Sequence, residues 1–498
     1  METTFSNNNY KCFKLSLLFI LTPFIVIINY YLFKESSNYI HEYGNSLLYS
    51  ILIYLFSVSL VTYFSYRYFL EKNQYIFFIA CLSFSIRIVW ILTIDTRPVS
   101  DFQVMYNAAI KMSSGDFSYN SSNYFRTWTY QLGFTMYQAL IIKIFGTSMA
   151  TLKILNALYC MGITVLVYQI SSTLFGDIAA KFSSVIYCFY IPSIVMSSVL
   201  TNQHLGTFLF YLAFYYFLRN PTLNVKKTIL CAVLISMGNI VRPLGSLVLV
   251  CILFYSLLFL LLNKRTIRKT FRFICVFMVS YFAIFYLVSF FAIGTGISSS
   301  HLKNHEPLWK FVLGFNHETS GRYSKADSEF VFQYNLGEER NKVEKEIIKN
   351  RISDWKSLPG LFLDKIKIMW SDSDALYWSL NTQENKRLSN ILNLISHASY
   401  WVIMSFLLVS VFWLIFRYDN DERYLFFVVL ILGYFSIHLL IEIQTRYRYF
   451  IMPSIILISG YSFSGLFSYI LKKNSYFPRN LFNQIKKIAY KKKVETNL

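Results

Sequence analysis

One carboxylate stands apart in this chain. Asp101 lies in Ile94–Phe117 (IDTRPVSDFQVMYNAAIKMSSGDF), the first long polar interruption after three apolar runs, and Arg97 precedes it by one turn. A carboxylate held at a membrane–water boundary can serve as a general base, taking the proton from a hydroxyl as its oxygen attacks an electrophilic carbon such as a sugar C1. Basic groups on the same face would bind a departing phosphate, whose charge grows in the transition state. The candidates are Arg97, Arg126, Arg242, Arg446 and Arg448, with His204, Asn202 and Glu442 beside them. Each has a plainer reading. Arginines snorkel from span ends, Glu442 and Arg446 stand four apart and can pair, and Ser100 or Asp101 can cap a helix. Snorkelling does not explain why the outer face of a positive-inside protein collects arginines beside acids, whereas a shared anionic ligand does.

The elements that would position these groups follow from local signals. Pro98 breaks one helix and Gly115 ends the next. Between them Phe102, Met105, Tyr106, Ala109 and Ile110 recur at helical spacing, which predicts an amphipathic helix along the membrane surface. The chain has 498 residues, 55% hydrophobic and 15% charged, with apolar runs longer than the roughly 18 residues that mark a spanning helix. The fold class is an all-α polytopic membrane protein, a bundle of about twelve spans. They fall at 14–33, 46–66, 75–95, 149–171, 179–199, 203–218, 227–241, 245–262, 273–293, 391–416, 424–443 and 449–471. The run 131–146 is short, contains Gly133 and Lys143, and reads as an interfacial or re-entrant helix. The division is an N-terminal pair of spans (1–74), a core (75–293) whose first outer loop is 96–148, an extracytoplasmic segment (294–390), C-terminal spans (391–471) and a basic tail (472–498). Within the segment, Asn335–Trp355 predicts a surface helix burying Val343, Ile347 and Ile348, and Leu361–Trp370 a second amphipathic helix.

Charge sets the orientation. The formal charge of +21 is concentrated in short loops, with Lys264, Arg265, Arg268, Lys269 and Arg272 in one of them, and in tail lysines such as Lys472, Lys473 and Lys491. This is the positive-inside pattern, with both termini cytoplasmic and the Asp101 face outside. It gives membrane lipids as partners and excludes nucleic acid, since no nucleic-acid-binding motif accompanies the charge. The seven cysteines are scattered through apolar runs and read as buried hydrophobes. Lys11 and Lys14 precede an apolar run too long for a cleaved signal, which reads as a retained anchor. Arg87, in mid-span, reads as part of a structural hydrogen-bond network. His301 and His305 lack an HExxH context, and the triplet Asp372-Ser373-Asp374 falls outside, away from cytosolic nucleotides. No P-loop, dinucleotide fingerprint or nucleophile elbow is present.

Several stretches together resemble the GT-C superfamily of membrane glycosyltransferases, in the bacterial branch related to protein O-mannosyltransferases and lipid A aminoarabinose transferases. They are RPVSDFQVMYNAAIKMSSGDF, IIKIFGTSMATLKILNALY, LFGDIAAKFSSVIYCFYIPSIVMSSVLTNQHLG, GNIVRPLGSL and EIQTRYRYFIMPSI, in that order, over residues 80–470. The resemblance implies a polyprenyl-phosphate sugar donor, a hexose with mannose among the candidates, and transfer to an extracytoplasmic glycan, lipid or protein acceptor. It matches Asp101 to the family's first-loop acid, the base or acceptor ligand, and Arg242 and Arg446 to contacts with the donor phosphate. Many relatives carry paired acids in the first loop, whereas here Ser100 precedes a single aspartate, which argues against a strict two-acid scheme and leaves a divalent metal open. The alternatives are a lipid-linked glycan flippase or transporter, which would show inverted repeats that are not seen here, and a polysaccharide polymerase. A flippase would tolerate Asn at position 101.

Overall fold

The computed structural model describes residues 2–69, 71–219, 224–262, 267–371, 376–381, 384–416 and 422–473. The acidic triplet at 372–374, Lys264 and Arg265, and the tail beyond 473 lie outside the described residues. The chain begins with α1 (Glu2–Tyr43), α2 (Ser46–Tyr68), α3 (Lys72–Thr93), α4 (Asp101–Ser113), α5 (Asn123–Thr127), α6 (Leu132–Phe145) and α7 (Met149–Phe175). It continues with α8 (Asp177–Cys188), α9 (Ile191–Met196), α10 (Gln203–Leu218), α11 (Val225–Val241), α12 (Gly245–Leu262) and α13 (Ile267–Gly294). The segment that follows carries α14 (Trp309–Gly314), α15 (Lys325–Val331), α16 (Glu338–Ser353) and α17 (Leu358–Ser371), and α18 (Lys386–Ile415), α19 (Leu425–Leu440) and α20 (Met452–Lys473) close the bundle. Among the described residues there is no strand.

This is an all-α polytopic membrane protein. Among the described residues six helices (α1, α2, α3, α7, α13 and α18) are long and apolar enough to cross a membrane, and α19 and parts of α12 and α20 are shorter apolar helices. Burial along α1 follows one stripe. It runs through Leu18, Leu21, Ile25, Ile28 and Leu32, spaced three and four apart, while Phe19, Tyr30 and Phe33 are exposed. That stripe packs on α18, where the Ser36 hydroxyl lies 2.9 Å from His397 Nε2 and Tyr39 stacks on the same ring. The run at 131–146 becomes α6, whose 14 residues rise only about 21 Å. It packs so closely on α11 that a Cβ at Gly133 would stand 1.9 Å from the Ile240 carbonyl oxygen.

The span expected at 179–199 is broken instead. Pro192 has no N–H to give to the Cys188 carbonyl one turn back, so α8 ends there and α9 starts afresh. Arg87, fully buried on α3, takes up the loose ends. Its Nη1 donates to the Cys188 carbonyl (3.4 Å) and its Nη2 to Ser193 Oγ (2.9 Å) and the Tyr187 carbonyl (3.5 Å). The mid-span arginine is thus a stitch across a helix break.

In the segment 294–390, α16 forms where its composition predicts, and its Ile347 and Ile348 pack on Trp309, Val312, Leu313 and Val331. Val343, Ile347 and Ile348 are half-buried, and the most buried positions are Arg340 and Glu344. Arg340 can sit inside because it donates to the Tyr334 carbonyl twice (3.0 and 2.8 Å) and to Glu306 (2.9 Å). The segment docks on the short connection between α19 and α20. Lys365 of α17 donates to the carbonyls of Gly314 (2.9 Å), Leu439 (2.7 Å) and Ile441 (2.8 Å), which caps the ends of α14 and α19 with one ammonium. Backbone bonds from Glu442 N–H to the Lys310 carbonyl (2.8 Å) and from Ile443 N–H to the Gly321 carbonyl (2.9 Å) complete the seam.

Candidate functional site

Asp101 is the first residue of α4, and its position is set by a strained neighbour. Ser100 has φ 54° and ψ −134°, a region that favours glycine, at the point where the chain turns from the extended stretch after α3 into α4. No side chain caps this helix. The Asp101 carboxylate makes no hydrogen bond or ion pair with any described residue, so it is not spent on holding the helix. Burial pushes its pKa above the usual aspartate range, with Arg446 and Lys310 pulling the other way and Glu442 adding to the rise.

Opposite stands a cationic group built on the α19–α20 connection. Glu442 is buried and bonds the Lys310 ammonium, the Tyr447 hydroxyl (3.2 Å) and Gln444 Nε2 (3.0 Å). Burial would raise its pKa, but Lys310, Gln444 and Tyr447 outweigh that and hold it below the ordinary glutamate value. Gln444 Oε1 in turn accepts from Arg446 Nε (2.6 Å). The chain Lys310–Glu442–Gln444–Arg446 therefore fixes the guanidinium, whose faces rest on Trp378 (4.3 Å to the ring centroid) and Phe102 (5.2 Å). Among the described residues neither Nη nitrogen of Arg446 has a hydrogen-bond or ion-pair partner. Phe102 follows Asp101 on α4, so the same turn of helix supplies the free carboxylate and one wall of the arginine.

Arg242 closes the group from the end of α11. It precedes Pro243 and so adopts an extended backbone, φ −141° and ψ 118°, that ends the helix. Its Nη1 donates to Asn202 (3.0 Å), its Nε is buried without an acceptor, and it lies within electrostatic reach of Arg446, Tyr130, Tyr434 and Tyr447. Gly206 makes room for it, since a Cβ there would stand 2.9 Å from Arg242 Cβ.

Of the residues singled out from the sequence, the structure brings together Asp101, Asn202, Arg242, Glu442 and Arg446. It leaves four elsewhere. Arg97 is exposed and pairs with Asp95 (3.3 Å). Arg126 is exposed on α5 and makes no hydrogen bond or ion pair with a described residue. His204 is fully buried, its Nε2 2.8 Å from the Met196 carbonyl and its Nδ1 2.6 Å from Tyr449 Oη, which makes it core scaffolding. Arg448 is buried against the Tyr400 ring (4.6 Å) on α18, because consecutive arginines in TRYRYF point to different sides of the connection. Glu442 pairs with Lys310 rather than with Arg446.

Sequence reasoning overlooked Lys310, Gln444, Tyr447 and Trp378. Lys310 carried a signal: it stands in LWKFVLG, an apolar stretch with no acid within one helical turn after it, where a lysine needs a distant counter-charge. Among the described residues no three His, Cys, Asp or Glu side chains are placed to hold a metal ion.

No family model and no curated protein matches the chain. Among solved structures it is similar to ArnT from Cupriavidus metallidurans bound to undecaprenyl phosphate, at 12% identity over 79% of this chain and 78% of that one, with a TM-score of 0.35. It is also similar to the apo state of that ArnT, at 14% identity over 75% of each chain, with a TM-score of 0.33. Both likenesses are weak.

Proposed function

We propose that the chain is a GT-C-type membrane glycosyltransferase that moves a sugar from a polyprenyl-phosphate donor to a hydroxyl of an extracytoplasmic acceptor. The observation that carries this reading is the pairing of an uncommitted carboxylate, Asp101, with an uncommitted guanidinium edge, Arg446, inside one electrostatic group. An acid and an arginine that served only the fold would have paired with each other. Here each is held by other contacts and left open to a ligand.

In this reading Asp101 removes the proton of the acceptor hydroxyl as its oxygen attacks the sugar C1. The bond from C1 to the phosphate oxygen breaks, and the polyprenyl phosphate leaves with its added negative charge on the Arg446 fork. Arg242 adds positive potential, and Lys310 is occupied with Glu442 and acts through it. The attack inverts the configuration at C1. Basic loops on the opposite side support an extracytoplasmic site, and a hexose such as mannose follows from the sequence resemblance alone.

The test is to reconstitute the protein in vesicles with radiolabelled polyprenyl-phosphate hexoses and an envelope extract as acceptor. The reading expects release of polyprenyl phosphate, abolished in Arg446→Ala. Passage of the intact sugar lipid across the bilayer without its consumption would favour the flippase instead.

A further inference from the structure

The site contains a polar group that this mechanism does not use. The Trp378 indole Nε1 is shielded from solvent and has no hydrogen-bond acceptor among the described residues, although its ring lies 4.3 Å from the Arg446 guanidinium carbon. The neighbouring Tyr377 phenol lies close to that hydrogen but outside bonding geometry. A shielded indole N–H without an acceptor is costly, and native proteins rarely leave one so. Its place is firmly held. The following residue, Ser379, accepts at its carbonyl from Thr96 (2.7 Å) and at its hydroxyl from Trp90 Nε1 (3.2 Å), and lies 2.9 Å from Ser198 Oγ. The short helix Leu376–Trp378 is thereby tied to the end of α3 and to the stretch after α9. Phe102 meets Trp378 edge-on at 5.2 Å, so indole, phenyl and guanidinium form one packed unit beside Asp101. Arg242 Nε is a second shielded donor without an acceptor among the described residues, in the same electrostatic group. Two shielded N–H donors beside the Arg446 fork suit a ligand that brings oxygen acceptors.

We infer that Trp378 is a positioning residue for the donor lipid: its indole face orients the Arg446 fork, and its Nε1 donates a hydrogen bond to an oxygen of the same phosphate. This rests on the reading of the site as one for a polyprenyl phosphate. Two substitutions separate the two contributions. Trp378→Phe keeps an aromatic face and removes only the N–H. Trp378→Leu removes both. Tyr377→Phe controls for the neighbouring phenol, which is exposed.

The experiment is equilibrium binding of undecaprenyl phosphate to the full-length protein in detergent, followed by transfer kinetics, with folding checked by melting temperature. A hydrogen bond to a charged group predicts that Trp378→Phe weakens binding and raises the donor KM about tenfold, with kcat little changed. Trp378→Leu weakens both further, Arg446→Ala abolishes binding, and Tyr377→Phe leaves it as in the wild type. If Arg446→Ala loses binding while Trp378→Phe binds as tightly as the wild type, the role of the N–H is refuted and the site reading stands. An equal loss in Tyr377→Phe would show that the N–H serves the phenol, which also overturns the inference. If the wild type binds no polyprenyl phosphate, the site reading itself falls and takes this inference with it.

Discussion

Replacing Asp101 with Asn separates a helix-capping role from a chemical one. The side chain sits at the first position of α4 and makes no capping hydrogen bond, so its favourable contributions to folding are the interactions of its charge with the helix dipole and with Arg446 and Lys310. At low ionic strength the dipole part is about 0.3–1 kcal/mol. Burial works against them, since the raised pKa means that the ionised form is held at a cost. The two effects nearly cancel, and the neutral, isosteric Asn should leave stability within about 1 kcal/mol of the wild type or slightly above it. Loss of a general base lowers rates by about 10²–10⁴, which corresponds to roughly 3–5 kcal/mol of barrier. The assay is sugar release from a polyprenyl-phosphate donor alongside thermal unfolding in the same detergent. A fall in transfer of a hundredfold or more at unchanged melting temperature is expected. Undiminished transfer, or a loss that tracks a collapse in stability, would refute the assignment.

Three further outcomes follow from the geometry. Lys310→Met leaves Glu442 buried without its cation, which costs about 3–5 kcal/mol for a sealed pair and falls at the lower end here because the Lys310 side chain is 35% exposed. The double change Lys310→Met with Glu442→Gln should recover most of the melting temperature. The pH–rate profile should lose activity on the acid side at a higher pH than an ordinary aspartate would give. Asp101, with its raised pKa, protonates first, while Glu442, with its lowered pKa, stays ionised and its stabilising contribution is lost only at still lower pH. An acid limb at or below the ordinary carboxylate range would contradict this. In the segment 294–390, burial and the neighbouring Glu306 raise the pKa of Glu344, so the native state binds a proton that the unfolded chain has released. Stability should therefore fall as pH rises from the ordinary glutamate value through the raised one, and Glu344→Gln should flatten that slope in melts across pH.

Much of the architecture was legible because apolar length and periodicity are strong signals. The stripe of α4, with Phe102, Met105, Tyr106 and Ala109 buried, was read correctly, and only Ile110 sits half out. The α8–α9 break was missed although Pro192 stood in plain view, since hydropathy averages over a single residue. Charge partners are what the sequence hides. Local spacing lets Glu442 pair with Arg446, and the buried place of Arg340 on α16 follows from no local pattern. In both cases partners distant in sequence decide: Glu306 for Arg340, 34 residues away, and Lys310 for Glu442, 132 residues away. Arg448 and His204 were candidates by position, and only packing tells a side chain that faces the site from one that faces a neighbouring helix.

The Arg87 stitch has a consequence in time. During synthesis α3 is complete long before the helix break it mends, because Cys188 lies 101 residues downstream. At about 5–20 residues per second the guanidinium waits roughly 5–20 seconds for those acceptors. An arginine in mid-membrane costs about 2.5–3.5 kcal/mol on translocon scales. Until α8 and α9 arrive, only Ser83, on its own helix, can bond it. The nascent α3 is apolar enough to span by itself, yet it carries one costly group until its partner emerges.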